Sequence, residues 1–517
     1  MKKIYIYSIV VALMGFSINS CTDFTEEDAK GVLTPDNYFK NEQEVILGLN
    51  GLHADVVGSG ELLSLMGTDQ GVCGRDPIAA GWLSAVYNYG VDNASVRNLW
   101  LSGYASVKNA NFLIDALETS SVSAEVKANA RAQALFYRAL FYFDLTTVYG
   151  DIPYWRDALD IEKVSLLGKT SASIIQEDMI ADLDEAIKSG NLATVRWNQN
   201  KSRPTVWAAR MLKAQYHIWL KQWDKARTEL IEVTYNSPHI LNADYADMYR
   251  QGKELNNEII FGREYLAGVQ DNKKFEQSHF NSASENANTK TAMSQTGVFT
   301  RTASLTVRKS FANTYNINDK RKKYNVWDSH KLTNGTVAVF NFIYIPKLMR
   351  AKLPISDPLM QTADIIGTSS EPSRVFVLSD AWLLLAEAEF MLDGSTTAAL
   401  NAINKIRSVE RTGLTPYTSI TIEDIRKERG WELLGEGFFG RKKDLIRWGI
   451  LEPTIIALPA AETAVGAYSL AITRAQEEAA FIQNAPEGKF RNYPIPVEEL
   501  LNSQNVGGKL EQNPLWK

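Results

Sequence analysis

Apolar residues recur every three or four positions through several long stretches of the chain, the spacing of helices that bury one face. The stretch SAEVKANARAQALFYRALFYFDLTTVYG, residues 123–150, predicts one such helix. Ser123 stands where a cap would accept a backbone N–H, Glu125 falls in the first turn, and Gly150 lies past the last apolar residue. Residues 203–236 predict two helices with a break at Lys221-Gln222-Trp223. Residues 379–413, SDAWLLLAEAEFMLDGSTTAALNAINKIRSVERTG, repeat that plan. There Asp380 predicts a cap, Asp393-Gly394-Ser395-Thr396 a break, and Gly413 the end of the second helix. Alanines fall where the two helices of a unit would pass closely.

The unit after the first of these breaks, Trp223-Asp224-Lys225-Ala226, is similar to the second helix of a tetratricopeptide repeat. The expected fold is mostly α: tetratricopeptide-like helical hairpins forming a scaffold, with long irregular loop insertions and a few short strands. Residues 58–95 and 267–336 lack helical spacing, and the second segment is rich in Asn, Ser, Thr and Lys. Residues 336–348, TVAVFNFIYIPKL, predict a strand. Long insertions on a compact body are usually functional or disordered; taken as functional, ligand-binding loops are expected around 58–95 and 267–345, and the two are expected to meet.

Composition adds a large core: 45% of residues are hydrophobic and 22% charged. The first residues change the picture more. Lys2 and Lys3 precede an apolar run too short to span a bilayer, which ends in Ser-Ile-Asn-Ser before Cys21. That pattern predicts a lipoprotein signal over residues 1–20, with Cys21 acylated as the new N-terminus. Asp23, Glu26, Glu27 and Asp28 follow, so residues 21–40 are expected to form an acidic flexible tether and 41–517 a single domain. Loss of Lys2 and Lys3 leaves 53 Lys and Arg against 60 Asp and Glu, a formal charge of −7, which argues against nucleic-acid binding. Only Cys73 would then remain besides the lipidated cysteine, so no intramolecular disulfide is expected.

Gly435-Glu436-Gly437-Phe438-Phe439-Gly440 matches the spacing of a dinucleotide loop, but a helix pattern precedes it and no strand does. The glycines read as a helix end, whose negative pole repels phosphate. Around them, Glu428, Arg429, Glu432, Glu436, Arg441, Lys442, Lys443, Asp444 and Arg447 could supply an acid/base pair. Each carboxylate has an arginine nearby in sequence, however, which predicts ion pairs and lowered carboxylate pKa values instead. His53, His217, His239, His279 and His330 are scattered without metal-ligand spacing. No catalytic constellation, metal site or cofactor is expected.

The irregular segments carry aromatics beside polar residues, as a sugar site requires: flat C–H faces stack on rings while hydroxyls meet Asp, Asn and Arg. The candidates are Asp69, Arg75, Trp82, Tyr87, Tyr89, Asn93, Tyr324 and Trp327. For any one of them the competing reading is a loop anchor packed on the helical body; at least two of the eight are expected to meet ligand.

Four stretches carry a family resemblance: ARAQALFYRALFYFDLTTVYGDIPY (130–154), residues 383–413, ERGWELLGEGFFGRKKDLIRWG (428–449) and YPIPVEELLNSQNVGGKLEQNPLW (493–516). With them and the lipoprotein start, the chain resembles the SusD-like (SusD/RagB) outer-membrane glycan-binding lipoproteins of Bacteroidetes. The resemblance implies non-catalytic binding of oligosaccharide or polysaccharide at the cell surface. It also implies a lipid anchor in the outer membrane and a SusC-like TonB-dependent transporter as partner. The family's ligand residues lie in variable loops, so Asp69, Arg75, Trp82 and Trp327 transfer only by loop position. The alternative is a helical-repeat scaffold that binds a peptide or protein at the cell surface.

Overall fold

Helical hairpins make up most of the molecule. The structure is a computed structural model that describes residues 39–56, 65–74, 86–200, 202–253, 255–272, 284–296, 305–349, 357, 370–436 and 439–517. The lipoprotein signal, Cys21 and nearly all of the acidic tether therefore lie outside the described residues. In chain order the main helices are α1 (Glu42–Ala54), α2 (Ala94–Thr119), α3 (Ala124–Tyr149), α4 (Ala172–Lys188), α5 (Val206–Trp219) and α6 (Trp223–Ile231). They continue with α7 (Ala287–Thr296), α8 (Lys322–Asn325), α9 (Leu378–Asp393), α10 (Thr397–Ile406), α11 (Ile422–Glu432), α12 (Gly440–Arg447), α13 (Leu451–Ala464), α14 (Ser469–Gln483) and α15 (Val497–Asn505).

The end signals act as anticipated in α3. The Ser123 side chain accepts from Val126 N, and Gly150 closes the helix with φ of 77°. α2 packs on α3, α5 on α6, α9 on α10 and α13 on α14. Small residues set the approach: a Cβ added to Gly103 in α2 would lie 2.7 Å from Leu145 Cδ2 in α3, and Ala110, Ala116, Ala134 and Ala139 are fully buried. The break between α5 and α6 falls at residues 220–222, where Lys221 takes a positive φ of 57°.

Two expectations need correction. Asp380 does not cap α9; the helix starts at Leu378, and Asp380 is buried in its first turn, 2.7 Å from Arg429 Nη1. The second helix of that unit stops at Ile406, and a separate turn, Val409–Thr412, closes at Gly413. Residues 267–336 are also less irregular than their composition suggests, because they contain α7, α8 and two strands. α7 is a polar helix held by its surroundings: the Asn286 side-chain oxygen accepts from Thr289 N at 2.9 Å, and Thr289, Ala292 and Met293 are buried.

Six strands complete the described residues: β1 (Gly71–Val72), β2 (Ile259–Arg263), β3 (Thr306–Val307), β4 (Trp327–Lys331), β5 (Val337–Tyr344) and β6 (Ser373–Val377). β5 is the strand expected from TVAVFNFIYIPKL. One sheet has the order β1-β3-β5-β4, all antiparallel, and β2 pairs with β6. The largest core lies among the helices; a smaller one joins Val72, Ala292, Met293, Trp327, Phe340, Phe342, Tyr344 and Ala471 beneath the sheet.

Candidate functional site

The two irregular segments meet. Gly71 pairs with Val307 and Val72 with Thr306, so β1 from the first segment joins a sheet otherwise built by the second. The sheet's β4–β5 hairpin carries a regular alternation at its free end: Ala338 and Phe340 are buried while Val337 and Val339 are 55% and 63% exposed. Ser329 pairs with Val339 and Lys331 with Val337, so these four share the outer face.

Residues 65–74 are fastened from several sides. Tyr87 Oη donates to Gly67 O at 2.6 Å, Arg308 Nε donates to Thr68 O at 2.7 Å, and Arg308 N donates to Gln70 O at 2.8 Å. Gln70 Nε2 donates to Gly430 O in α11 at 3.1 Å. Asp69 accepts from Arg441 Nε at 2.8 Å and Nη2 at 2.6 Å, a two-point grip on α12. Beneath them Arg308, fully buried, pairs with Glu478 of α14. Burial pushes the Glu478 carboxyl up to about 7, against the pull of Arg308 and Lys442. Burial likewise holds the Lys442 ammonium down to about 8, where it faces the Tyr87 ring at 4.6 Å and the Tyr493 ring at 5.3 Å.

Several predicted ligand residues are occupied by the fold. Tyr87 is 1% exposed, Tyr324 2% and Trp327 5%, so the expectation of open stacking faces does not hold for these three. Trp327 packs its ring against Phe340 at 5.1 Å. Tyr324 donates through Oη to Asp357 Oδ2 at 3.2 Å, and Arg250 Nε donates to the same oxygen at 2.9 Å. Asn93 caps α2, its side-chain oxygen accepting from Ser95 N at 3.0 Å and Val96 N at 3.2 Å. Tyr89, half-buried, stacks on Trp516 at 5.3 Å. Asp69 keeps a 24% exposed side chain but is engaged by Arg441. Arg75 and Trp82 lie outside the described residues.

The sequence reading missed Tyr468. It precedes α14, is 36% exposed, and meets Phe342 of β5 edge-on at 5.4 Å. Its only sequence signal is a tyrosine beside Gly466 at a helix junction. Glu285 was missed as well: its carboxylate accepts from Asn341 N at 2.9 Å, Phe342 N at 3.1 Å and Tyr344 Oη at 2.7 Å, tying the start of α7 to β5. Burial raises its pKa against those hydrogen bonds.

The glycine-rich stretch is a junction, as expected. α11 ends at Glu432, Gly435 takes a φ of 70°, and α12 begins at Gly440; Gly437 and Phe438 lie outside the described residues. Its charges, Lys442 apart, are ion pairs. Arg429 bridges Asp380 and Asp444, Arg447 bridges Glu387 and Asp444, and Glu432 holds Arg321 and Arg411. Burial opposes ionisation of Glu432 and Asp444, yet the adjacent guanidiniums outweigh it and lower both pKa values. At Glu428 and Asp380 burial wins and the pKa rises, contrary to the simple pairing argument.

Comparisons with known proteins agree with this architecture. Residues 238–516 match the model of the SusD family, and residues 75–216 match a model described as starch-binding associating with outer membrane. The SusD-like protein P25 of Formosa agariphila is 26% identical over 491 residues, covering 86% of this chain and 90% of its own. Among solved structures, surface glycan-binding protein A from Bacteroides thetaiotaomicron superposes with a TM-score of 0.73 at 19% identity, covering 92% of this chain and 100% of that one. A laminarin-binding SusD-like protein gives 0.70 at 20% identity, again covering 92% of this chain and 100% of the other.

Proposed function

The chain belongs to the SusD family, and on that premise we propose that it is a non-catalytic receptor that binds oligosaccharide or polysaccharide at the cell surface and delivers it to a SusC-like TonB-dependent transporter. The observation that carries the reading is the pairing of β1 with β3, which brings the two aromatic-bearing segments to one sheet on a helical body. The family matches across both halves of the chain support it, as does the glycan-binding character of the similar solved structures.

Within that reading, the ligand residues are sought at the sheet and its neighbouring segments. Trp82 and Arg75 remain candidates, Tyr468 joins them, and Asp69 serves by bracing residues 65–74. Tyr87, Asn93, Tyr324 and Trp327 build the platform. Two or three sugar stacks at roughly 1 kcal/mol each, with a few hydrogen bonds, give about 4–6 kcal/mol, a Kd between about 1 mM and tens of µM. Weak capture suffices where a tether holds the site above a transporter and keeps its effective concentration high. Cys21 would carry the lipid, leaving the protein on the outer face of the outer membrane.

Isothermal titration against a panel of neutral and charged oligosaccharides tests the binding. The expected result is micromolar to millimolar affinity for one class, lost in Trp82→Ala or Tyr468→Ala with unchanged thermal stability. Absence of binding to every glycan, together with wild-type growth of both variants on polysaccharides, overturns it. Incorporation of an alkynyl fatty acid that disappears in Cys21→Ala tests the anchor, and co-purification of a transporter from outer membranes tests the partner.

A further inference from the structure

Charge is distributed unevenly around the sheet. The whole chain carries a formal charge of −5, yet residues 267–345 contain eleven Lys and Arg against five Asp and Glu. Contacts in the fold sharpen that imbalance, because they use up the carboxylates. Glu285 is buried and holds backbone N–H groups of β5, Asp319 is buried against Arg321, and Asp271 accepts from Gly268 N at 2.8 Å. Glu276 lies outside the described residues. Asp328 stays exposed, accepting from Ser329 Oγ at 2.9 Å.

The cations divide differently. Arg308 and Arg321 are buried in ion pairs, while Lys309 and Lys320 donate to backbone carbonyls at Gly466, Val409 and Glu410. Lys290 on α7, Lys323 on α8 and Lys331 on β4 are exposed, and Lys322 on α8 is half-buried. Among the described residues no carboxylate forms an ion pair with any of these four. Lys290 and Lys331 belong to one small module, since α7 packs on both strands of the hairpin; Lys322 and Lys323 lie on α8, before the start of β4, whose last residue is Lys331. His330 adds no charge at neutral pH, because burial holds its imidazole below the ordinary value.

Ammonium groups that no carboxylate neutralises leave a positive field at the hairpin, and they bind carboxylates and sulfates as point charges. We infer that the glycan taken at this face is anionic, a chain bearing carboxylate or sulfate groups on its sugars. The inference rests on the glycan-binding reading and specifies its substrate class. The outer face offers Val337 and Val339 for the apolar side of a sugar ring beside Lys331 for its anionic substituent. Exposed charge contacts are screened beyond about 8 Å at physiological ionic strength, so such binding depends on salt.

Affinity electrophoresis and titration of the full chain test this with matched pairs: polygalacturonate against its carboxyl-reduced form, and dextran sulfate against dextran. Retention by the first of a pair alone is expected, and which pair responds separates carboxylate from sulfate. Lys290→Glu/Lys331→Glu is expected to weaken binding about tenfold or more and to flatten its salt dependence. Lys225→Glu/Lys427→Glu, an equal change of charge on the helical body, is expected to leave it within about twofold. Equal binding to neutral and anionic partners, or equal loss in both double variants, overturns the anionic inference while leaving glycan binding intact. Failure to retain any of the polysaccharides, here and in the wider panel, overturns both.

Discussion

Replacing Arg308 with Met isolates a buried carboxylate beneath residues 65–74. Arg308 is fully buried, donates from Nε to Thr68 O at 2.7 Å and pairs through Nη2 with Glu478, itself 1% exposed. Removing one partner of such a pair costs about 3–5 kcal/mol. Protonation offers the variant a partial escape. Glu478 already titrates near 7 rather than 4.5 because burial disfavours its charge, and without the guanidinium its folded-state value rises further. A carboxyl raised in this way favours the fold fully below its unfolded value, and the contribution is lost as pH climbs through the folded value. Between pH 6 and pH 8 the wild type therefore loses about 1.4 kcal/mol from this group. In Arg308→Met, with the folded value raised further, the same interval costs more, up to about 2.7 kcal/mol for a carboxyl that stays protonated in the fold throughout. The destabilisation relative to wild type thus grows by up to about 1.3 kcal/mol over the interval. Urea unfolding followed by tryptophan fluorescence at both pH values measures it. Arg308→Met/Glu478→Leu removes both charges and is expected to recover most of the loss, since apolar replacement of a buried pair is often neutral. A cost below about 1 kcal/mol at both pH values, or no recovery in the double variant, would refute the reasoning.

Three further changes probe the platform. Trp327→Ala is expected to lower stability by about 3–5 kcal/mol in urea unfolding, because the ring is 95% buried or more beside Phe340; unchanged stability with abolished glycan binding would return Trp327 to the ligand. Asn93→Ala removes the acceptor for Ser95 N and Val96 N and is expected to cost about 1 kcal/mol, read as a lower melting temperature. Gly413→Ala places a Cβ 2.7 Å from Asn318 O at a φ of 75°, so a loss of more than about 1 kcal/mol is expected by thermal unfolding, and Gly413→Asn is not expected to relieve it, because its Cβ meets the same oxygen.

The scaffold was legible because its signals are local. Ser123 and Gly150 bracket a helix within 28 residues of chain, and the cap geometry at both ends is the one those residue types favour. Asp380 shows the limit of that logic. A carboxylate in a first turn looks the same in sequence whether it caps the helix or reaches a buried guanidinium, and its partner Arg429 is 49 residues away. α7 escaped notice for a related reason. Its residues Ala-Asn-Thr-Lys-Thr-Ala-Met-Ser-Gln-Thr have weak helical preference, and the helix is held instead by packing on β5 and by its Asn286 and Glu285 anchors.

The site was harder to read because the residue types that bind sugars are also those that pin loops. Tyr87, Asn93, Tyr324 and Trp327 were sensible candidates by type, yet each has its polar atoms or ring face committed within the fold. The same holds for residues 428–447, the densest chemistry in the chain, where Glu428, Arg429, Glu432, Arg441, Asp444 and Arg447 are all paired. A buried polar group that has found its partners has little left to offer a ligand, since binding would first have to break those contacts at a cost comparable to what it gained. Conspicuous motifs therefore point to the frame. Ligand chemistry is better sought in groups left unspent, such as the rim of Tyr468 or the ammoniums of Lys290 and Lys331, and these announce themselves only once the fold shows which of their neighbours are already taken.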